Sequence, residues 1–519
     1  MDEYWPNTVQ VSATSDSSLS SHYSYPTSNI MNYITSEEYA ADKRAKNALI
    51  TATFAKKCAS SSSTDIPIFQ KIHQALQAND GSKIQATVLS GGVTNYSYKI
   101  SVTNHPHLVV FAKLCFEYMS WDPDNSAGVF DLQRTTNEYT IMKIVSKIKP
   151  DCVVAPLALW DMEHEGQSMK LLITEWAAMT DEQIANQFIE GIVDVRVAPK
   201  LADTLAAIHT IPDIDPNHNE QAKVFVVGMM GALVDYVKET SCGTSSTPPK
   251  DRTEKYMLDV GSEIMIKITK DQQFDYRNKR DCLQHGDSHV FNILVEAKPS
   301  IEKLEAFGPN GAVVQCDWEL AFVGPKGLDV GVLLSYPIMC QVVHALNGHT
   351  DSIESINKFI VALLDRYEER MVEAGKTPEE ISDIMRSMVG WCGCFHFQVF
   401  YFLRVFLDTL PVNSEADREL VRDSMGILGL KLIRLCYDKD FFAAKGSSSE
   451  EVRQKFMSLV DEEVTGVAQS RIVGSKRRMQ ARKSSMLRAN NRRVSDAAMA
   501  LGLSSRGLSS LSLIEDSVE

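Results

Sequence analysis

Two short segments, and the spacing inside each, constrain this chain of 519 residues more than anything else in it. The first is Leu283-Gln284-His285-Gly286-Asp287-Ser288-His289-Val290-Phe291-Asn292-Ile293-Leu294-Val295. It sets a carboxylate in a polar loop and an amide five residues later, and an apolar strand begins at once. The second is a strand, Ala312-Val313-Val314-Gln315-Cys316, that ends in Asp317-Trp318-Glu319. Each of these polar residues alone is an ordinary turn residue. Together they put an Asp, an Asn, a second Asp and a Glu at the ends of apolar strands.

That set has a chemical meaning. Asn292, Asp317 and Glu319 are hard oxygen donors suited to magnesium. Asp287, kept accessible by its loop and fixed by the strand behind it, suits the acceptance of a hydroxyl proton. These are the parts that phosphoryl transfer from a nucleotide requires.

Composition bounds the alternatives. A chain of this length has room for two cores, so two lobes are expected. A formal charge of −14 argues against a nucleic-acid-binding body. No apolar run stands behind a basic start, as a secretory signal would need, and the Ser/Tyr-rich opening Met1 to Ser36 lacks the Arg bias of a transit peptide. The ten cysteines form no Cys-x-x-Cys pair, and Cys392 and Cys394 read as small core residues, so a reduced, cytoplasmic protein is expected. Trp391 to Leu407 resembles a membrane span, but it carries His396, Gln398 and Arg404, so a buried helix and no membrane span are expected.

Along the chain the pattern changes three times. Residues 1–64 are poor in large aliphatics and read as disordered, with one short helix around Glu37 to Lys57. Residues 65–176 carry strand signals: Thr87 to Ser90 and Tyr96 to Val102 about a Gly turn, then Leu108 to Leu114, then a hairpin of Val153 to Trp160 with Met169 to Thr174. A helix, Arg134 to Ile148, interrupts them. Residues 177–465 are mostly helical, with helices over Lys200 to His209, Lys223 to Glu239, Lys255 to Lys270, Leu328 to Leu346, Asp351 to Glu373, Pro378 to Leu407 and Ser414 to Cys436. Residues 466–519 read as a disordered tail. Arg471 to Arg493 contains nine Lys/Arg and no acid, a solvated arm or a phosphorylation segment at Arg482-Lys483-Ser484-Ser485 and Arg492-Arg493-Val494-Ser495. The fold class is α+β: a small sheet-rich N-terminal lobe before a larger helical lobe that opens with the chemistry, the arrangement of kinases.

Other residues gain meaning beside these. Lys113 ends an apolar strand, as a snorkelling edge lysine or as a phosphate-binding ammonium held by Glu138. Glu138 has an alternative partner in Arg134, four residues before it on the same helix. Ser90-Gly91-Gly92-Val93-Thr94-Asn95 is either a hairpin turn or a flap whose backbone amides approach phosphates. Glu175-Trp176 after Leu171-Leu172-Ile173 reads as the lobe connection, where adenine would meet backbone, and His209 reads as a packed histidine.

From Ile84 to Leu435 these residues resemble the aminoglycoside phosphotransferase and choline kinase superfamily, which shares the protein-kinase fold. The run Cys316-Asp317-Trp318-Glu319 through Gly324-Pro325-Lys326-Gly327-Leu328-Asp329-Val330-Gly331 is similar to the corresponding segment of methylthioribose kinases. The resemblance implies ATP and Mg2+ as cofactors and Asp287 as the catalytic carboxylate. Asp317 and Glu319 would be metal ligands and Lys113 a phosphate contact, with Asp329 structuring the helix start beneath them. It implies transfer of the γ-phosphate to a small-molecule hydroxyl, that of 5-methylthioribose or a related sugar, with choline or ethanolamine as the alternative acceptor.

Three features depart from methylthioribose kinases. Asn292 is present, and the Ser-Gly-Gly-Val-Thr-Asn turn is similar to choline and ethanolamine kinases. The substrate-gripping Arg pair is reduced to Arg404 in Phe402-Leu403-Arg404-Val405-Phe406. No Asp-Phe-Gly or Ala-Pro-Glu segment of a protein kinase is present. A non-catalytic pseudokinase or binding module is the contrasting expectation, and a homodimer is left open.

Overall fold

The computed structural model describes residues 37–59, 66–78, 80–89, 95–117, 131–177, 182–212, 214–215, 218–241, 248–296, 313–402, 404, 407, 410–412, 414–437 and 448–470. It is an α+β structure of two lobes. The first is built on a five-stranded antiparallel sheet of β1 (Ile84–Val88), β2 (Tyr96–Val102), β3 (His105–Phe116), β4 (Pro156–His164) and β5 (Gln167–Glu175), in the order β1-β2-β3-β5-β4.

Alternation decides which face is apolar. Tyr96, Tyr98, Ile100 and Val102 of β2 and Val110, Ala112 and Leu114 of β3 point into one buried layer. The residues between them on β3, Lys113 and Cys115, point the other way. The hairpin joining β4 and β5 turns through Glu165 and Gly166, both at positive φ, the geometry that matches strand twist.

Helices α1 (Glu37–Cys58) and α2 (Pro67–Gln77) cover the apolar layer. Ile50, Phe54 and Cys58 recur every four residues and bury completely or nearly so, and Phe54 meets Phe69 edge to face at 5.6 Å. The expected boundary at residue 65 leaves out α1, whose Ile50, Phe54 and Cys58 are part of the core of the sheet lobe. On the opposite side, α3 (Gln133–Ile148) packs Ile141, Met142 and Val145 into the core of the helical lobe, along with Leu172 of β5. The two lobes therefore share a seam along α3.

The second lobe opens with β6 (Glu182–Gln183), α4 (Ile184–Glu190), α5 (Val197–His209) and α6 (Glu220–Ser241). The helix expected over Lys255 to Lys270 is two, α7 (Arg252–Val260) and α8 (Ser262–Asn278), broken where Gly261 takes φ +95. Two small ladders follow. β7 (Cys282–Gln284) pairs with β10 (Phe322–Gly324), and β8 (Ile293–Val295) lies between β6 and β9 (Val313–Gln315). Two loops, 285–292 and 316–321, are thus bracketed by the same ladders and held side by side. Residues 297–312 lie outside the described residues.

The remaining core is helical: α9 (Leu328–Asn347), α10 (Thr350–Glu373), α11 (Pro378–Phe395) and α12 (Glu415–Tyr437). Among the described residues α9 is the one helix long and apolar enough to cross a membrane, and it is wholly buried. It packs against α10 and α11, as expected of a helix apolar on every side. It displaces the Trp391 to Leu407 stretch as the most span-like segment. That stretch is not one helix: α11 ends at Phe395 and continues as a π-helical turn over His396–Phe402. At Gly331 a Cβ would stand 2.6 Å from the Met388 carbonyl oxygen, so α9 and α11 meet backbone to backbone.

A further helix over residues 449–470 sends Val452, Phe456, Val460, Val464 and Val467 into the main core, carrying ordered structure past the expected boundary at 466. The Ser-rich and basic segments beyond residue 470 lie outside the described residues.

Candidate active site

Four charged side chains from three elements meet at the mouth of the shared seam. Lys113 faces away from the sheet core, and α3 presents Glu138 to it, with Lys113 Nζ donating to Glu138 Oε2 at 2.9 Å and Oε1 at 3.1 Å. The same ammonium pairs with Asp317 Oδ1 and lies 3.4 Å from Glu319 Oε2. Lys113, Glu138 and Glu319 are almost completely buried, whereas the Asp317 side chain keeps about a third of its surface open, at 36%. Asp317 takes φ +68, a left-handed conformation that Asp tolerates better than most residues and that turns its side chain out of the strand. Trp318 turns inward between the two acids: its indole lies 4.4 Å from the His285 ring and donates to the Gln315 carbonyl at 3.1 Å.

Arg134 gives the cluster a second cation. It does not pair with Glu138 along the helix; its Nε donates to Glu319 Oε2 at 3.1 Å, its Nη2 to Asn95 Oδ1 at 2.9 Å and its Nη1 to the Phe116 carbonyl at 3.0 Å. Asn95 Nδ2 in turn donates to Glu319 Oε2 at 3.0 Å. Three carboxylates thus face two cations, leaving an excess of negative charge in a buried place. Burial opposes the charge of Lys113, but Asp317, Glu138 and Glu319 outweigh it and hold the ammonium well above its usual range. Burial also raises Glu138, to about 7, against the pull of Lys113. Burial raises Asp317 likewise. For Glu319 burial is outweighed by Lys113 and Arg134, and the carboxyl is lowered.

The loop 285–292 stands beside this cluster. Cys316 N donates to the Asn292 carbonyl at 2.9 Å, and His285 Nε2 bonds the Cys316 carbonyl at 3.0 Å. Asp287 receives Asn292 Nδ2 on Oδ2 at 3.1 Å and lies 3.4 Å from His289 Nε2 through Oδ1. Burial works against its ionisation, yet His289 and His285, with the Asn292 amide, outweigh burial and lower its pKa. His289 is raised in return: burial opposes its charge, but Asp287 prevails.

The loop rests on Asp329 at the start of α9. Asp329 Oδ2 accepts from His285 N at 2.6 Å, Oδ1 accepts from Gly286 N at 3.0 Å, and His209 Nε2 lies 3.2 Å from Oδ2. His209 is packed as expected, its other ring nitrogen 2.7 Å from the Tyr367 hydroxyl.

Lys113, Glu138, Asp317 and Glu319 are therefore in contact, with Asn95 joined to them and Asp287 and Asn292 on the adjoining loop. Gly91, Gly92 and Thr94 lie outside the described residues. Glu175 ends β5 with an exposed side chain, directly before Trp176 and Ala177. Arg404 is elsewhere. Its side chain is half exposed, pairs with Glu419 at 3.2 Å and lines a cavity of about 710 Å³ with Tyr236, Asp251, Tyr401 and Arg422. None of the clustered residues lines that cavity, and the π-helical turn before it ends at Phe402. His289 was not anticipated from sequence, and Arg134 was expected only as a helical partner of Glu138. The signal for Arg134 was its position one helical turn before Glu138, which gives both residues the same face.

Glu138, Asp317 and Glu319 each offer an oxygen within 4.8 Å of the others, a donor set suited to a hard divalent cation. The Asn292 amide oxygen accepts no hydrogen bond from the described residues, since only its nitrogen is engaged.

No family model matches the chain, and no curated protein sequence does. Among solved structures, it is similar to a protein of Ralstonia eutropha JMP134 described provisionally as an aminoglycoside phosphotransferase. That pair shares 11% identity over 76% of this chain and 98% of the other, with a TM-score of 0.28. A second is an aminoglycoside-3'-phosphotransferase of type VIII, at 13% identity over 69% and 98%, with a TM-score of 0.29. Superpositions this loose bear no weight on chemistry, which rests on the chain's own residues.

Proposed function

We propose that the protein is an ATP-dependent phosphotransferase that moves the γ-phosphate to a hydroxyl of a small molecule. One observation carries this: the Lys113 ammonium is gathered with Glu138, Asp317 and Glu319 beside a loop that presents Asp287 and Asn292. Asp287, ionised near neutrality, orients the acceptor hydroxyl and takes its proton on a carboxylate oxygen. Asn292 holds the other side of that carboxylate. Lys113, released from the acids, binds phosphate oxygens. Backbone after Glu175 would meet the adenine. Asp317, Glu319 and Asn292, with Glu138 in reach, would hold magnesium, which when bound neutralises charge on the phosphates.

The acceptor we favour is 5-methylthioribose or a related sugar, on the strength of the Cys316 to Gly331 segment. Arg404, paired with Glu419, is given no role in it. The alternative acceptor, choline or ethanolamine, rests on the Ser90 to Asn95 segment, which is similar to that of choline and ethanolamine kinases.

ADP release from magnesium-ATP, with methylthioribose, choline and ethanolamine offered separately, separates these. Release on the thiosugar supports the first acceptor, and release on an amino alcohol supports the second. Silence on all three and on a wider panel of hydroxylated metabolites, with nucleotide still stabilising the protein, would replace the enzyme by a binding module.

A further inference from the structure

Glu319 is held in an unusual way for a side chain proposed to bind a cation. Among the described residues, all of its side-chain hydrogen bonds and ion pairs converge on one oxygen. Oε2 accepts from Asn95 Nδ2 at 3.0 Å and from Arg134 Nε at 3.1 Å, and Lys113 Nζ lies 3.4 Å from it. No donor among the described residues reaches Oε1. Arg134 is itself locked, because its Nη1 is fixed by the Phe116 carbonyl at the end of β3 and its Nη2 by Asn95 Oδ1. The amide of Asn95 is oriented unambiguously by this, its oxygen toward Arg134 and its nitrogen toward Glu319. All three residues are nearly inaccessible, so water does not substitute for any of these bonds.

We infer that Arg134 is a positioning residue that, together with Asn95, pins Glu319 by Oε2 and so turns Oε1 toward the divalent cation. Asn95 directly precedes β2. A ligand oxygen held this way requires no reorientation when the cation arrives. Loss of the hydrogen-bonded support behind a metal ligand typically lowers metal affinity about 10–100-fold. Lys does not replace Arg here, because one ammonium does not span Glu319, Asn95 and the Phe116 carbonyl at once.

The inference rests on the phosphotransferase reading, and its test is binding rather than turnover. Mn2+ affinity is measured by electron paramagnetic resonance with a non-hydrolysable ATP analogue, on the full chain and on Arg134→Lys, Asn95→Ala and the double variant. The expected result is a loss of about 10-fold or more in Mn2+ affinity for each single variant. The double variant should be little worse than the weaker single, since both act through the same oxygen, and analogue affinity without metal should stay near that of the unaltered chain. Unchanged Mn2+ affinity in a folded Arg134→Lys overturns the inference alone. Should that variant fail to fold, unchanged affinity in Asn95→Ala overturns it equally. If the unaltered chain binds no Mn2+ with the analogue, the phosphotransferase reading falls and this inference with it.

Discussion

At the residue scale, the polar side chains at strand ends were legible because strand periodicity says where a side chain points. Lys113 is out of phase with Val110, Ala112 and Leu114, so it had to leave the sheet core, and it meets Glu138 in the seam. Arg134 was harder to place. Helix spacing offered Glu138 as its partner, and only the fold brings Glu319 from a loop 185 residues away to compete for it.

His396 was legible as buried, but its consequence needs the structure. It is fully buried, with Nε2 bonded to the Ser335 carbonyl at 2.9 Å, and burial pushes its pKa down to about 4. Unfolded, the imidazole regains its ordinary value of 6.5 and takes up a proton that the folded state refuses. Its stability contribution is therefore intact above about pH 6.5 and falls as the pH drops toward 4, by about 2 kcal/mol at pH 5. Urea unfolding at pH 8 and pH 5 should show this loss, and His396→Gln should show a smaller one. An equal loss in both proteins would remove His396 as its source.

At the element scale, long periodic helices were legible and short strands were not. The α9 and α10 boundaries fall within a residue or two of those expected, since an apolar run and a clear stripe leave little choice. By contrast β7 and β10 are three residues each, and pairing across 37 intervening residues leaves no local pattern. The helix over 449–470 went unread although its apolar residues repeat at helical spacing, because charged residues fill the rest of its surface.

The same elements show what supports the loop of Asp287. The Asp329 carboxylate, fully buried at the start of α9, caps two backbone amides of the loop and lies against His209 of α5. Asp329→Ala would orphan all three groups and should cost about 3 kcal/mol or more of stability. Asp329→Asn, which keeps an acceptor, should cost less. Thermal unfolding of the two variants checks this, and equal stability of Asp329→Ala and the unaltered protein would show that the contacts contribute nothing net.

At the scale of the whole molecule, two lobes meet along α3, and the charged cluster belongs to both. Lys113 comes from the sheet, Glu138 and Arg134 from the seam helix, and Asp317, Glu319 and Asp287 from the loops that open the helical lobe. The division into lobes was legible in the change from period-two to helical patterns. The place of α1 was not, because a helix beside a polar stretch says nothing about the sheet it will cover. Arg404 also shows the limit of position in sequence: a lone Arg near an apolar run lines a cavity that no residue of the charged cluster lines.

The central claim is that Asp287 performs the chemistry while Lys113 and the acidic cluster hold the nucleotide. The most direct measurement takes the acceptor that gives the strongest ADP release and compares turnover and magnesium-ATP affinity in Asp287→Ala and the unaltered chain. The account predicts a loss of about 10²–10⁴-fold in turnover, the range of a positioned general base, with nucleotide affinity changed only a few-fold. Near-normal turnover in Asp287→Ala would contradict it.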